Sequence, residues 1–462
     1  MNRTKTLWLL MLAMMISYGV ELQAADGYRI EVKIDNYESS EIYLGYHYGD
    51  KQYIKDTVSL QENGLYLIEG EESLDPGVYL VILPPDNNYF QLLISEKEQR
   101  FSVTTNGEKP VESIQVNNSP DNERFYAYLD FLSGQRPKAQ KLNEQIQEAR
   151  DDQAKVDQLK ADLAKINEDV KKRQQELVDK YPNSLTAMII KSSTDIPAPD
   201  LPADLSEEDR NFQRWQYYKK HWFDNLDMKD ARLLRSPVMF QKVDHYINKL
   251  IVQHPDTIIQ GVDYILDLVK DSEDNFKFYL IHFLNTYAKS KVVGMDAIYV
   301  HIAEKYYATG LAPWTEEEQL AKITKNARSL KPLLIGKTAP DIKVQKQDGS
   351  LLGLHEIKSD YTVLFFWDPD CGHCKKSMPD LLKFYDDYKS KGVEVFAVCT
   401  KLGKDAPKCW EMVKEKEMER WINVYDPQMR SRFKILYDIK STPQVYVLDK
   451  DKVIQSKRIG AE

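Results

Sequence analysis

The chain has 462 residues, with 63 Lys+Arg against 72 Asp+Glu and a formal net charge of −9 at pH 7. That balance lacks the basic footprint of a nucleic-acid binder, and 42% hydrophobic residues exclude wholesale disorder. Four cysteines rule out a disulfide-stapled scaffold, and eight histidines with no HExxH or paired CxxC announce no metal site and no cofactor. The length predicts two to four domains at ~150 residues each.

Residues 1–24 read as a signal peptide. Arg3 and Lys5 precede an apolar stretch from Leu7 to Val20, and Leu22-Gln23-Ala24 offers a cleavage site before Ala25. The competing reading is an uncleaved anchor, but the run is short for a span of ~20 residues. No cysteine lies in the segment, so it does not become a lipid-modified N-terminus. Cleavage would leave an exported protein that does not span the membrane, in an oxidising compartment where disulfides persist.

Residues 25–110 predict a small antiparallel β domain, a sheet or sandwich of six to eight strands. Ile30, Val32 and Ile34 alternate with polar residues, as do Ile42, Leu44 and Tyr46, and Val78, Leu80 and Ile82 continue the period-two spacing. Period-two alternation predicts one buried and one wet face. Turn chemistry at Asn63-Gly64, Asp75-Pro76-Gly77 and Pro84-Pro85-Asp86 separates the strands.

Residues 111–330 predict an all-α domain. Ser119 and Pro120 open a helix as N-cap and first-turn proline, and Gly134 and Pro137 are expected to end it. From Lys138 to Lys180 apolar residues recur at three-four spacing, predicting one long amphipathic helix or a hairpin broken near Asp151. The seam is thin and carries Arg173, which favours intramolecular packing over a coiled-coil dimer. Pro182, Pro197, Pro199 and Pro202 mark a linker, and helical periodicity resumes from Ser206 to Leu330. Trp215, Tyr217, Tyr218, Trp222 and Phe223 sit at helical spacing, which reads as core rather than a ligand cage.

Residues 331–462 alternate strand and helix, predicting a C-terminal α/β layer. Strands are expected at Val363–Trp367, Val393–Cys399 and Val445–Leu448, with helices over Lys375–Lys389 and Asp405–Arg420. Between the first strand and its helix lies Trp367-Asp368-Pro369-Asp370-Cys371-Gly372-His373-Cys374. Cys371 would sit at the helix N-terminus, where free N–H groups stabilise a thiolate. Cys374, one turn on, would resolve the disulfide that the thiolate forms. His373 would lower the Cys371 pKa, whereas Asp368 and Asp370 would raise it. A structural disulfide or half a zinc site is the competing reading, but no second CxxC exists. Cys399 and Cys409 could form a second disulfide or a relay; the preferred reading is two separate buried thiols.

Together with Gly336-Lys337-Thr338-Ala339-Pro340-Asp341, Asn423-Val424-Tyr425-Asp426 and Ser441-Thr442-Pro443 before Val445–Leu448, this segment resembles a thioredoxin-fold domain of the TlpA/ResA and AhpC/TSA-redoxin type. More loosely, the whole chain resembles envelope redoxins of Gram-negative bacteria, which precede that domain with a β and a helical domain. The resemblance implies a periplasmic thiol–disulfide oxidoreductase with protein disulfide or dithiol substrates and an upstream electron donor or acceptor. It implies Cys371 as nucleophile, Cys374 as resolving thiol, Trp367 packed beside them, and Thr442 with a cis Pro443 shaping the substrate groove. Phe365 stands where thioredoxins place a buried Asp, and Ser377 where cytochrome-maturation relatives carry Glu. A thioredoxin fold normally ends with one more helix covering the sheet; after Ile459 the expectation is that this helix either lies beyond Glu462 or is missing from the fold. A thiol peroxidase is the second reading, weakened by Asp368 where redoxin peroxidases carry Thr. A binding or scaffold protein with a redox-regulated domain is the third.

Overall fold

The structure is a computed structural model that describes residues 27–458. The expected signal peptide, residues 1–24, lies outside the described residues, as do residues 25–26 and the last four residues. The chain divides into two compact units between Tyr246 and Ile247.

The first unit opens on eight strands: β1 (Tyr28–Asp35), β2 (Glu41–Tyr48), β3 (Lys51–Ser59), β4 (Tyr66–Gly70), β5 (Gly77–Leu83), β6 (Asn88–Ile94), β7 (Arg100–Asn106) and β8 (Gln115–Asn117). They form two four-stranded sheets, β4-β1-β7-β8 and β3-β2-β5-β6. Pairing is antiparallel except for β1 with β7, which run parallel. Ile30, Val32, Ile68 and Val103 of one sheet meet Ile42, Leu44, Val81 and Phe90 of the other in a single apolar core. Alternation holds along β1, but β5 is buried on both faces. Tyr79, Val81 and Leu83 face the sandwich core, while Val78 packs with Leu93 against Phe125, Tyr126 and Leu185. The sequence expectation put Val78, Leu80 and Ile82 on the buried face; the sandwich core instead takes the opposite face, Tyr79, Val81 and Leu83, and the Val78 side is buried under a helix, so neither face of β5 is wet.

That helix runs Pro120–Glu148, straight through Gly134 and Pro137 rather than ending there. Pro137 is exposed, and the carbonyl it leaves unbonded belongs to the exposed Ser133, which water can satisfy. Ser119 occupies the N-cap position without capping through its own side chain. Glu98 serves instead: its carboxylate accepts from Ser119 Oγ at 2.5 Å and from the Asp121 N–H at 3.0 Å. Asn122 ties the helix to β6, exchanging hydrogen bonds of 2.7 and 2.8 Å with the Leu93 backbone.

A second helix, Gln153–Lys180, starts at Asp152, whose side chain accepts from the Lys155 N–H. The two helices form a hairpin joined by Tyr128, Leu177 and Ile190, with Gln174 Nε2 donating to Tyr128 Oη at 2.9 Å. The thin apolar seam is therefore used within the chain. The Glu207–His221 helix buries none of its residues, so Trp215, Tyr217 and Tyr218 are not core. Of the aromatic group only Phe223 is fully buried. Rings with polar tips sit comfortably half-wet, which helical spacing alone does not reveal.

The second unit places helices Pro255–Val269, Glu273–Ala288, Asp296–Ile302 and Glu317–Leu330 before an α/β layer. Asp263 joins two of these segments, accepting from His301 Nε2 and Tyr306 Oη, each at 2.8 Å. The sheet comprises β9 (Lys343–Gln345), β10 (Leu351–Gly353), β11 (Tyr361–Trp367), β12 (Val393–Cys399), β13 (Ile422–Tyr425), β14 (Gln444–Asp449) and β15 (Ile454–Lys457). Its order is β10-β9-β13-β12-β11-β14-β15. The continuous apolar run of β11 reflects burial on both faces. Val363, Phe365 and Trp367 pack under the Gly372–Tyr388 helix and the Pro407–Glu415 helix. Leu364 and Phe366 meet Leu333, Phe433 and Tyr437 on the other face. β11 runs parallel to β12, and β12 to β13. Their carboxyl ends therefore open on one side, where ligand and catalytic groups gather in such sheets. No helix among the described residues is long and apolar enough to cross a membrane.

Candidate redox site

β11 ends at Trp367, and the chain turns through Asp368–Asp370 into the Gly372–Tyr388 helix. Cys371 is the N-cap of that helix, in extended conformation at φ −82° and ψ 113°. Its Sγ accepts the Cys374 backbone N–H at 3.3 Å, the role that a serine or aspartate oxygen plays at other helix starts. The Cys371 N–H in turn donates to the Asp368 carbonyl at 3.1 Å.

Cys371 and Cys374 are both free thiols in unequal surroundings. Cys371 is half-buried and Cys374 is 0% exposed. Burial pushes the Cys371 thiol up, but hydrogen bonds from the Cys374 thiol and N–H and from the His373 N–H outweigh it and hold the pKa below the ordinary thiol value. Burial, reinforced by Cys371, pushes the Cys374 thiol up to about 12. One sulfur is reachable and disposed to ionise, and the other is enclosed and held protonated.

The remaining expected residues fall around this pair in different ways. Trp367 is 1% exposed and shares the apolar cluster of Cys371 and Cys374. His373 is exposed, and its backbone N–H lowers the Cys371 pKa. Gly372 has open space where a Cβ would stand, so room for a side chain does not demand glycine. Thr442 presents its carbonyl to Cys371 Sγ at 3.2 Å, and the Thr442–Pro443 bond is cis, immediately before β14. Phe365 is fully buried, and Ser377 donates to the His373 carbonyl at 3.0 Å. Among the described residues, no three His, Cys, Asp or Glu side chains gather to hold a metal.

Two features were missed by sequence reasoning. Cys399 and Cys409 are joined in a disulfide, with Cα atoms 6.1 Å apart, so the reading as separate thiols is corrected. Both are 1% exposed; the intervening chain folds back and brings the sulfurs together. The second feature is Lys401, whose Nζ lies 3.1 Å from Asp368 Oδ1 and 2.7 Å from Asp370 Oδ2. Its only signal is its place just past the end of β12, beside the end of β11 in a parallel pair.

Residues 335–457 match the model of the AhpC/TSA family, and residues 28–125 and 158–331 match two domains of unknown function, DUF4369 and DUF5106. A thiol-disulfide oxidoreductase ResA from Bacillus cereus is 30% identical over 130 residues, which is 28% of this chain and 71% of that protein. A solved domain of a possible thiol-disulfide isomerase from Cytophaga hutchinsonii is 41% identical, covering 28% of this chain and 87% of its own, at a TM-score of 0.27. A thioredoxin-like protein from Bacteroides caccae is 21% identical, covering 58% of this chain and 95% of its own, at a TM-score of 0.44. The chain belongs to the family of ResA-like thiol–disulfide oxidoreductases, with an AhpC/TSA thioredoxin-like domain at its C-terminal end. It is an oxidoreductase.

Proposed function

We propose that the protein exchanges disulfides with protein substrates in the cell envelope through Cys371-Gly372-His373-Cys374. The observation that carries this reading is the asymmetry of the pair: Cys371 half-buried with a lowered pKa, Cys374 enclosed with a raised one. The Cys371 thiolate attacks one sulfur of a substrate disulfide; the substrate S–S bond breaks and one substrate thiolate leaves. Cys374 then attacks Cys371 Sγ. Its proton passes to the second departing substrate sulfur, and a Cys371–Cys374 disulfide forms. Two electrons move from the pair to the substrate, and an external dithiol restores the reduced pair. Every step runs equally in reverse when an external disulfide is the acceptor.

The Thr442 carbonyl beside Cys371 supports a groove in which an extended peptide would pair with the backbone at Thr442 and Pro443. Export rests on the charged and apolar pattern of residues 3–24. A thiol peroxidase is less well supported, because Asp368 in the position of a peroxidase threonine is engaged by Lys401.

The reduction potential of the pair, measured by equilibration with glutathione and mass spectrometry of alkylated protein, tests the reading and sets its direction. A value near about −270 mV means a reductase, and one near about −120 to −180 mV means an oxidant or isomerase. A Cys371–Cys374 pair that never forms a disulfide across this range overturns the proposal.

A further inference from the structure

β11 and β12 run in register so that Trp367 lies opposite Cys399, and the Thr400 N–H donates to the Trp367 carbonyl at 2.8 Å. The loop after β12 therefore lies along the loop that carries Cys371. Lys401 uses that proximity to bridge two carboxylates. Asp370 immediately precedes Cys371. Asp368 accepts the Cys371 N–H through its carbonyl and the Asp370 N–H, at 2.8 Å, through Oδ1. The Lys401 side chain is 22% exposed, less than a free surface lysine, and the Cys399–Cys409 disulfide anchors its loop two residues upstream.

Two carboxylates within three residues of a thiol disfavour its thiolate. The charged groups around them are Lys401, the more distant Lys375 and Lys408, and the exposed His373. Lys408 is already paired with Asp405 at 3.0 Å. Lys401 holds the Asp370 carboxyl below its usual range, and Asp370 foremost raises the Lys401 ammonium.

We propose that Lys401 is a positioning residue for the redox pair: by bridging Asp368 and Asp370 it fixes the loop that carries Cys371 and screens the Cys371 sulfur from their negative charge. The inference rests on Cys371 being the attacking thiol.

The test is the pH profile of Cys371 alkylation by iodoacetamide in the reduced full chain, read by intact mass. Lys401→Met is expected to slow alkylation at pH 7 by about three- to tenfold and to move the midpoint upward. Adding Asp368→Asn and Asp370→Asn to it is expected to return the rate to within about twofold of the parent, and Lys401→Arg to leave it near the parent. An unmoved midpoint in Lys401→Met overturns the proposal. So does a slowed rate that removal of the carboxylates does not restore, because a purely structural role would not be rescued that way. If Lys401→Met does not fold, Asp368→Asn/Asp370→Asn with Lys401 intact must lower the midpoint, and no change overturns the proposal. Absence of disulfide exchange by the parent protein in either direction would sink the proposed function, whereas the titration would still decide the role of Lys401.

Discussion

Cys371 Sγ donates to the carbonyl of Thr442 at 3.2 Å, across 71 residues of chain. The same sulfur accepts the Cys374 N–H. A helix start and the lead-in to β14 thus converge on one atom, and the sulfur is held where a peptide laid along Thr442 would meet it.

The half-buried and the buried thiol should behave differently toward a substrate. Cys374→Ser is expected to accumulate a mixed disulfide between Cys371 and a disulfide-bonded peptide, because no second thiol is left to resolve it. Cys371→Ser is expected to trap none, since Cys374 is enclosed and its thiol is pushed up to about 12. Non-reducing electrophoresis and mass spectrometry read the outcome; equal trapping by both variants would reverse the assigned roles.

Reduction should make stability fall in alkaline solution. Cys371 has a folded pKa below its unfolded value, so its contribution grows as pH rises through the folded pKa and is complete above the unfolded one. Cys374 is displaced further and in the other direction, to about 12. Above the ordinary thiol range the unfolded chain releases that proton while the folded chain keeps it, so stability is lost as pH climbs toward about 12. The oxidised protein lacks both terms. Urea midpoints of reduced and oxidised protein should diverge above about pH 9, with the reduced form declining more as pH climbs toward about 12; parallel curves would contradict the inequality of the thiols.

The Cys399–Cys409 disulfide joins positions ten apart in sequence, and both cysteines lie in the core of the thioredoxin-like layer. Its replacement by Cys399→Ala/Cys409→Ala is expected to cost about 2–3 kcal/mol through the regained freedom of the unfolded chain. Urea unfolding with the redox pair kept reduced measures the loss. A change below about 0.5 kcal/mol would mean that the surrounding packing already holds the loop.

Lys457 on β15 is 2% exposed and donates to the Leu333 carbonyl at 2.6 Å and to Asp296. Burial lowers its pKa while Asp296 opposes that shift. Lys457→Met removes the cation and leaves the Asp296 carboxylate unpaired, which should cost about 3–5 kcal/mol. Adding Asp296→Asn should recover much of that loss, because the stranded charge is then gone. Thermal or urea unfolding of the single and double variants checks it, and equal loss in both would assign the cost to packing instead.

Local chemistry carried much of the architecture. The strands of the β domain follow alternation and turn residues, β11 and β12 follow their apolar runs, and the CxxC spacing marks a candidate pair at a helix start. Each of these signals lies within about one element's length of chain, where side-chain period and capping chemistry act directly. The departures share a different cause. β5 has no wet face because one side, Tyr79, Val81 and Leu83, forms the sandwich core and the Pro120–Glu148 helix covers the Val78 side, and that helix runs through Pro137 because the residue points to solvent. Glu98 rather than Ser119 caps that helix, because folding carries the carboxylate there from 21 residues upstream of Ser119.

The sequence by itself determined that the chain is a multidomain protein with a β region, a helical region and a thioredoxin-like α/β layer, and that Cys371 and Cys374 sit at a strand-to-helix junction. Only the tertiary structure decided that Cys399 and Cys409 are bonded, that Thr442 faces Cys371, and that Lys401 stands between Asp368 and Asp370. Hydrophobic period and capping are properties of neighbouring residues. Which sulfur, carbonyl or ammonium meets another depends on strand order and register, which the β11–β12 and β11–β14 pairings set across long stretches of chain.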